Sequence, residues 1–326
     1  MGLVIFVGSQ ISQSADVLAE KTGLGRTWVG ATLLAGATSL PELATGISAV
    51  TAINAPNLAV GGIFGSCLFN LLILGLLDIV SGREPLLKRA QVSHGLAASL
   101  GCVMLGIASV GMVLGKTSNQ VNISVGWVGI PSILLIGLYA VSAFMIAQFE
   151  MRRRAEVLDE EAEAFQYEHI SSKKAYIKFL VLASAIVFIG VWLAYLGEEI
   201  AVRTGIGESF VGALLLAAAT SLPEVVSSLA AIKLDAVDLA VSNVFGSNLF
   251  NLAILGTYDL FYLPGNLLDN VNQIHIFTGI IGMVMTSVAI TGLIYNAARR
   301  TRLYITWDGI TLIILYVGAM YTIYRS

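Results

Sequence analysis

Two glutamates inside long apolar segments are the residues with the clearest potential for chemistry. Glu42 ends the segment GATLLAGATSLPE at 30–42. Glu224 ends GALLLAAATSLPE at 212–224, and the two segments are identical at eleven of thirteen positions. A carboxylate near the bilayer centre costs at least about 2.5 kcal/mol to insert, so it normally faces a cavity and has a partner. No Lys or Arg lies at comparable depth in the apolar segments. We therefore expect a cation or a proton to supply the counter-charge.

The residues before each glutamate are suited to binding a cation. Pro41 and Pro223 lack a backbone N–H and clash with the preceding turn, so each predicts a break in its helix. The break is expected to leave the carbonyls around 35–38 and 217–220 without helical donors, which is tolerated where backbone lines a wet cavity. Hydroxyls add further oxygens, and we favour a ligand role for them over the alternative, back-bonding to the same helix. These hydroxyls belong to Thr38, Ser39, Thr220 and Ser221.

A second pair of segments repeats downstream and offers serine and asparagine oxygens. VGGIFGSCLFNLLILG at 60–75 and VSNVFGSNLFNLAILG at 241–256 are identical at eleven of sixteen positions. In each copy a serine precedes an asparagine by four residues, which places both on one helix face. The amide oxygen is a good ligand for a hard cation, and a hydrogen bond between helices is the alternative. The four residues are Ser66 and Asn70 in the first copy and Ser247 and Asn251 in the second.

The second copy carries two asparagines that the first copy lacks. Asn243 and Asn248 stand where the first copy has Gly62 and Cys67. Because these asparagines have no counterparts, we rank them below the four residues above.

The set of candidate ligands favours calcium. Two carboxylates with carbonyl, hydroxyl and amide oxygens suit the six to eight oxygen ligands typical of Ca²⁺, whereas Mg²⁺ gives up its water reluctantly. Two carboxylates also neutralise one Ca²⁺ ion. There is no set of thiolates or imidazoles suited to zinc, copper or iron. We interpret the three histidines as solvated or interfacial residues near span ends or in loops; they are His94, His169 and His275.

The composition indicates an all-α integral membrane protein. Of the 326 residues, 56% are hydrophobic and only 12% are charged, and the mean hydropathy is +0.83. A soluble globular protein has roughly a quarter of its residues charged. The net charge of −3, without a basic stripe, argues against nucleic-acid binding. Two cysteines in apolar segments form no disulfide framework.

We predict ten transmembrane helices, arranged as two halves of five, 1–148 and 176–326, joined by a charged linker at 149–175. The first span is only weakly apolar, so we expect either that the natural start lies upstream or that this helix faces protein. The predicted spans are 2–19, 27–53, 57–80, 91–114, 123–148, 176–202, 209–233, 237–262, 272–294 and 303–323.

The positive charges predict an orientation, because Lys and Arg are enriched in cytoplasmic loops. Fifteen of the eighteen fall on one side of the predicted spans and three on the other. We therefore expect both termini outside a cell membrane and the 149–175 linker in the cytoplasm. The three on the outer side are Lys116, Arg203 and Arg325.

The spacing of the repeats predicts an inverted topology. Five predicted spans separate corresponding points, and an odd number means that the second copy enters the membrane upside down. Many secondary transporters have this arrangement and use it for alternating access. A duplicated packing motif without transport is the alternative.

At these motifs the sequence resembles the sodium/calcium exchangers of the Ca²⁺/cation antiporter superfamily. GATSLPE and AATSLPE are similar to the paired alpha-repeat signatures of that family, and GSCLFN and GSNLFN to its companion segments. The resemblance covers both halves and implies that Glu42 and Glu224 are the central Ca²⁺ ligands. It implies that Asn70, Asn251, Ser66 and Ser247 complete the middle of the site, with carbonyls of Thr38 and Thr220. It implies flanking Na⁺ positions at Ser39, Ser221 and the carbonyls of Ala35 and Ala217.

We therefore expect an antiporter, not an enzyme, that exchanges Ca²⁺ for Na⁺ by alternating access. A Ca²⁺/H⁺ antiporter is the nearest alternative, since two buried carboxylates can also carry protons. The inverted repeat and the absence of a ring-type filter argue against a passive cation channel. A non-transporting ion sensor is disfavoured because it would not need two mirrored gates. We expect no cofactor and no nucleic-acid partner, the lipid bilayer and the transported ions as partners, and function as a monomer.

Overall fold

The fold is known from a computed structural model, which describes residues 6–7, 10, 14, 17–18, 26–81, 84–117, 124–157, 172–205, 207–295 and 305–326. Most of the predicted first span at 2–19 and of the predicted linker at 149–175 lies outside these residues, as does His169.

The described residues of the first half are mostly helical. Its elements are α1 (Arg26–Val29), a π-helical turn (Gly30–Leu34), α2 (Ala35–Thr38), α3 (Leu40–Ser48), a second π-helical turn (Ala49–Ile53), α4 (Pro56–Val80), α5 (Leu86–Arg89), α6 (His94–Thr117), the strands β1 (Ser124–Val125) and β2 (Val128–Gly129), and α7 (Ile130–Val157).

The second half has a similar order of elements, but its described residues form no strands and no π-helical turn after α11, and a 3₁₀ turn follows its central helix. Its elements are α8 (Ser172–Thr204), α9 (Glu208–Phe210), a π-helical turn (Val211–Leu216), α10 (Ala217–Thr220), α11 (Leu222–Lys233), α12 (Val237–Phe261), a 3₁₀ turn (Leu267–Asp269), α13 (Ile274–Tyr295) and α14 (Trp307–Arg325).

The helical membrane architecture predicted from the sequence is confirmed. Among the described residues, seven helices are long and apolar enough to cross a membrane, or eight if the bent pair Ala31–Thr38 and Leu40–Ile53 forms one span. These helices correspond to eight of the predicted spans, and the predicted span 176–202 falls within helix α8. The total of ten and the inverted topology stay predictions.

One predicted span begins later than expected. The strands β1 and β2 pair as an antiparallel ribbon over the start of the predicted span 123–148, and helix α7 begins only at Ile130. Gly126 between the strands has a φ of +66°, a conformation that glycine adopts without strain and that turns the chain back. The expectation of a purely helical chain is wrong for these few residues.

Helices α4 and α12 form the centre of the molecule. They pack against each other, and each also contacts the π-helical turn of the opposite half. Both helices are apolar around most of their circumference, which is typical of a helix that is buried on all sides. Their polar side chains therefore face other parts of the protein rather than lipid.

Glycines allow the central helices to approach the opposite half closely. A Cβ atom on Gly65 would overlap the backbone of Ala213, and one on Gly246 would overlap the backbone of Ala31. The two contacts occupy equivalent positions in the repeated segments. Small residues at such crossings bring helix backbones together in membrane proteins, so these glycines determine how close α4 and α12 lie to the discontinuous helices.

A buried aspartate at the end of each central helix anchors the following loop. Asp78 accepts hydrogen bonds from the backbone N–H groups of Leu86 and Thr306, both at 2.8 Å. At the equivalent position Asp259 accepts from the N–H groups of Leu267 at 2.6 Å and Gly129 at 2.8 Å. Carboxylates are strong acceptors for such donors. Both aspartates therefore tie the loops to the ends of the two helices that carry the serine and asparagine motif.

The interpretation of the histidines as solvated or interfacial is wrong for the two that the structure describes. His94 and His275 are each only 1% exposed. The Nε2 atom of His94 lies 2.8 Å from the carboxylate of Asp238, and that of His275 lies 3.3 Å from the hydroxyl of Ser209. Both partners come from distant parts of the chain, so the local sequence gave no sign of them.

The close approach at the glycines predicts opposite effects for similar substitutions. Gly65→Ala and Gly246→Ala should lower the thermal midpoint of the purified protein, because forcing an extra carbon into a packed crossing costs about 1–3 kcal/mol. Gly318→Ala is the matched control, since nothing lies within 4 Å of a Cβ there. A helical Gly→Ala change without a clash normally stabilises by up to about 1 kcal/mol. Equal midpoints for all three variants would contradict the close approach.

Candidate cation site

Both glutamates follow an interruption in their helix, as the sequence predicts. Helix α2 ends before Ser39, which has φ −89° and ψ 7°, and α3 then departs at an angle of 43°. In the second half, Ser221 interrupts the chain with nearly the same angles, φ −86° and ψ 8°. The prolines lie within the first two positions of the following helices, where a missing N–H does no harm. The break is therefore located at the serines.

The interruption places the glutamates in the first turn of a helix. Glu42 and Glu224 are the acidic residues in the first turns of α3 and α11. The N–H groups of a first turn have no partner within the helix, and the helix dipole favours negative charge there. Glu42 is only 3% exposed and Glu224 is fully buried. The start of each helix thus helps to stabilise a carboxylate that has little contact with water.

The two halves exchange hydrogen bonds at these carboxylates. The Ser39 hydroxyl donates to Oε1 of Glu224 at 2.9 Å, and the Ser221 hydroxyl donates to Oε1 of Glu42 at the same distance. The serine that ends each broken helix therefore contacts the glutamate of the other half. This reciprocal arrangement brings the two repeated motifs to one place.

The serines of the companion segments bind the same oxygens. Ser66 donates to Oε1 of Glu42 at 3.1 Å, and Ser247 donates to Oε1 of Glu224 at 3.3 Å. Each Oε1 atom thus accepts two hydroxyl hydrogen bonds.

Several polar atoms at the centre of this cluster have no hydrogen-bond partner. In the described part of the chain, eight buried side-chain atoms lack a partner, and five of them belong to four of the predicted site residues. They are Oε2 of Glu42, Oε2 of Glu224, Oδ1 of Asn70, and both Oδ1 and Nδ2 of Asn251. The thiol of Cys67 lies near the Asn251 amide. An unpaired buried polar atom costs about 1–3 kcal/mol, and more when charged, so such a concentration is typical of residues that bind a ligand.

The threonines and alanines of the motif are buried in the same region, and most of their hydrogen bonds are local, although the Thr38 hydroxyl also lies 3.5 Å from Oδ1 of Asn243. The hydroxyls of Thr38 and Thr220 each donate to a backbone carbonyl of their own helix at 3.0 Å, which is the back-bonding alternative. The Ser39 N–H donates to the carbonyl of Ala35 at 3.0 Å, and the Ser221 N–H donates to that of Ala217 at 2.9 Å. The expectation that these two carbonyls lack helical donors is wrong, although each keeps a second lone pair.

Two asparagines that the sequence analysis ranked low lie within this cluster. Asn243 donates to the hydroxyls of Ser227 at 3.0 Å and Ser228 at 3.2 Å. Asn248 accepts from the amide of Asn70 at 3.0 Å. The signal for Asn243 was its spacing, since it precedes Ser247 by four residues and shares its helix face.

Tyr258 contacts the site without any signal in the repeats. Its hydroxyl donates to the backbone carbonyl of Glu42 at 2.6 Å, and its ring occupies the space beside Gly46 that a side chain would otherwise fill. The first copy has Leu77 at the equivalent position. The tyrosine therefore contacts the first half-site only, and it covers Glu42 on the side of the Gly46 backbone.

The cluster has the chemistry of a hard-cation site. Its acidic groups are two carboxylates, and the other polar groups are hydroxyls, amides and carbonyls. The described residues contain no group of three or more His, Cys, Asp or Glu side chains placed to hold a metal ion. Oxygen ligands suit Na⁺ and Ca²⁺ rather than metals that prefer thiolate or imidazole.

The sequence matches a family of known transport proteins. The sequence model of the family described as "Sodium/calcium exchanger protein" matches residues 1–148 and 174–325. The chain is 26% identical over 326 aligned residues to an uncharacterized membrane protein of Methanocaldococcus jannaschii, covering 98% of this chain and 95% of that protein. It is also 26% identical over 356 residues to the sodium/calcium exchanger MaX1 of Methanosarcina acetivorans, covering 99% and 97% of the two chains.

Solved structures share the fold. The chain resembles the sodium-calcium exchanger NCX_Mj soaked with Na⁺ and Sr²⁺, with a TM-score of 0.67 and 22% identity over 98% of this chain and 95% of the other. The same exchanger soaked with Na⁺ and Ca²⁺ gives a TM-score of 0.68 and 21% identity. A similarity of this degree, over nearly the whole chain, supports the helical membrane architecture described above.

The unpaired carboxylate oxygens predict that neutralising one glutamate stabilises the protein in the absence of cations. Glu224→Gln keeps the shape and the Oε1 acceptor but removes a buried charge next to another. We expect its thermal midpoint at pH 8, in chelator and without Na⁺, to rise by at least about 2 °C. Glu199→Gln is the control, because Glu199 is exposed and pairs with Arg203 on the surface. A lower midpoint for Glu224→Gln than for the control would contradict the prediction.

Proposed function

The chain belongs to the sodium/calcium exchanger family, and on this premise we propose that it is a secondary-active antiporter that exchanges Ca²⁺ for Na⁺ across a membrane. The observation that carries the proposal is the pair of mutually contacting half-sites, in which each glutamate keeps one unpaired buried oxygen. Two carboxylates neutralise one Ca²⁺ ion, so the loaded site buries little net charge.

In the proposed site, Ca²⁺ replaces the missing partners of the unpaired oxygens. Glu42 and Glu224 contribute Oε2, while Asn70 and Asn251 contribute Oδ1, because these atoms lack other partners. The hydroxyls of the companion serines and two threonine carbonyls bring the total toward the six to eight oxygens that Ca²⁺ takes. These additional ligands are Ser66, Ser247, Thr38 and Thr220. The flanking Na⁺ positions use Ser39, Ser221 and the carbonyls of Ala35 and Ala217.

The same carboxylates explain why the two ions would be exchanged rather than carried separately. Na⁺ and Ca²⁺ compete for Glu42 and Glu224. Without any ion, two charges would stay uncompensated in a region of low dielectric, so a conformational change of the empty site would be slow. Ions must therefore be carried in both directions, and a Na⁺ gradient can drive Ca²⁺ against its own.

The mirrored halves provide a route for alternating access. We propose that the spans 2–19 and 176–202 slide against the rest and open the site to each side in turn. In support, helix α8 packs extensively along α3, whose first turn carries Glu42. A movement of α8 would thus change the surroundings of one half-site directly. We propose a cell-membrane location, with both termini outside, the 149–175 linker in the cytoplasm and a functional monomer.

A Ca²⁺/H⁺ antiporter is the second candidate. The observation in its favour is that the unpaired Oε2 atoms of Glu42 and Glu224 could each accept a proton when Ca²⁺ leaves. Serine hydroxyls on both glutamates favour Na⁺, because they add oxygens for a small cation next to each carboxylate.

The test is uptake of ⁴⁵Ca²⁺ into proteoliposomes that contain the purified protein. Uptake is measured with an outward Na⁺ gradient, then with a pH gradient, and then with neither. We expect rapid uptake with the Na⁺ gradient only. Uptake driven by the pH gradient alone would support the proton-coupled alternative, and equal uptake under all three conditions would indicate a passive pathway.

Two variants connect the assay to the site. Glu42→Gln and Glu224→Gln should each reduce Na⁺-driven uptake to the level of empty liposomes, because a neutral amide cannot balance the charge of Ca²⁺. Glu199→Gln, on the exposed surface, should transport normally. Membrane insertion is checked by the yield of monodisperse protein. Wild-type uptake by either site variant would refute the proposed site.

A further inference from the structure

A chain of hydrogen bonds runs from the backbone of α4 through α12 and back to α4. The carbonyl of Cys67 accepts from Nδ2 of Asn248 at 3.2 Å. Oδ1 of the same Asn248 accepts from Nδ2 of Asn70 at 3.0 Å. Oδ1 of Asn70 then has no protein partner, although it is buried.

The direction of this chain is unambiguous because it starts at a carbonyl. A backbone carbonyl can only accept, so Asn248 must turn its NH₂ group toward Cys67 and its oxygen toward Asn70. Asn70 must in turn donate to that oxygen with its own NH₂ group. The free end of the chain is therefore an oxygen and not an NH₂ group. An amide without such a partner could present either end.

We infer that Asn248 is a positioning residue for cation binding. It holds the Asn70 amide so that the NH₂ group points to Asn248 and the oxygen stays available to the cation. This inference rests on the proposed function and extends it to a residue outside the predicted ligand set. Asn248 contacts the cation through Asn70 only. Partners that orient a metal ligand in this way typically contribute roughly 10- to 100-fold to affinity.

The other half has no equivalent chain of hydrogen bonds among its described residues. Asn251 corresponds to Asn70, and the residue that corresponds to Asn248 is Cys67. Neither amide atom of Asn251 has a hydrogen-bond partner, and the nearby Cys67 thiol is only a weak donor and acceptor. The two half-sites are therefore unequal: Asn70 is oriented before the ion arrives, whereas the ion itself must orient Asn251.

A double-mutant cycle on direct Ca²⁺ binding tests the inference. Binding of ⁴⁵Ca²⁺ to detergent-purified protein without Na⁺ is measured for Asn248→Ala, Asn70→Ala and the double variant. We expect each single change to weaken binding, by roughly 10- to 100-fold for Asn248→Ala. The double variant should bind no more weakly than Asn70→Ala, because Asn248 acts through Asn70.

The matched control is the same cycle with Asn251→Ala in place of Asn70→Ala. Here the effects should multiply, because no hydrogen bond connects Asn248 to Asn251. A residue with a merely structural role would give the same additivity in both cycles, and that result would overturn the inference. If Asn248→Ala does not yield folded protein, Asn248→Cys takes its place, since cysteine is accommodated at the equivalent position 67.

The outcomes separate this inference from the proposed function. If the wild-type protein binds no Ca²⁺, the proposed function fails together with the inference. If it binds Ca²⁺ with unchanged affinity after Asn248→Ala, only the positioning role fails. Weakened binding with non-additivity confined to the Asn70 cycle supports the positioning role, whichever ion drives transport.

Discussion

The structure depends on the burial of two carboxylates beside the two central helices. Glu42 and Glu224 are buried away from water. Hydroxyls and the first-turn N–H groups of their helices, rather than a basic side chain, stabilise their charge. Neutral donors can stabilise an anion locally, but they cannot cancel its charge. An ion that arrives from outside the chain can do so, and because it is not covalently attached it can also leave. The cost of burying these carboxylates is thus the physical basis of the transport cycle that we propose.

The rest of the fold holds these groups in register. Gly65 and Gly246 let the central helices come close to the interrupted helices of the opposite half, so that each serine reaches across to the other glutamate. At the far ends of the same helices, Asp78 and Asp259 hold the loops that follow. The site is therefore carried by helices that are held at several points along their length. A binding site needs such rigid support to keep its groups at the right distances.

The two half-sites share their main residues but differ in the residues around them. The carboxylates and serines match between the halves, whereas Asn248 and Tyr258 serve only the first half-site. In a symmetric site, both half-sites would orient their asparagine amides in the same way. Here one amide is oriented in advance and the other is not, so the free energy of ion binding need not be shared equally between the halves.

Much of the helical fold, and the meeting of the two repeated motifs, could be predicted from the sequence, because both follow from local rules. Apolar length predicts a spanning helix, Pro41 and Pro223 predict a break, and two near-identical motifs indicate a shared site.

The sequence could not predict which atoms pair across the halves. The bond from Ser39 to Glu224 joins residues 185 positions apart, the partners of His94 and His275 are also distant, and the direction of the Asn248 amide depends on a carbonyl of another helix. Local patterns determined which segments are long apolar helices and that each motif contains a helix break. Tertiary packing alone decided which polar atoms meet and which have no protein partner, because hydrogen bonds between helices depend on distances that no single segment contains.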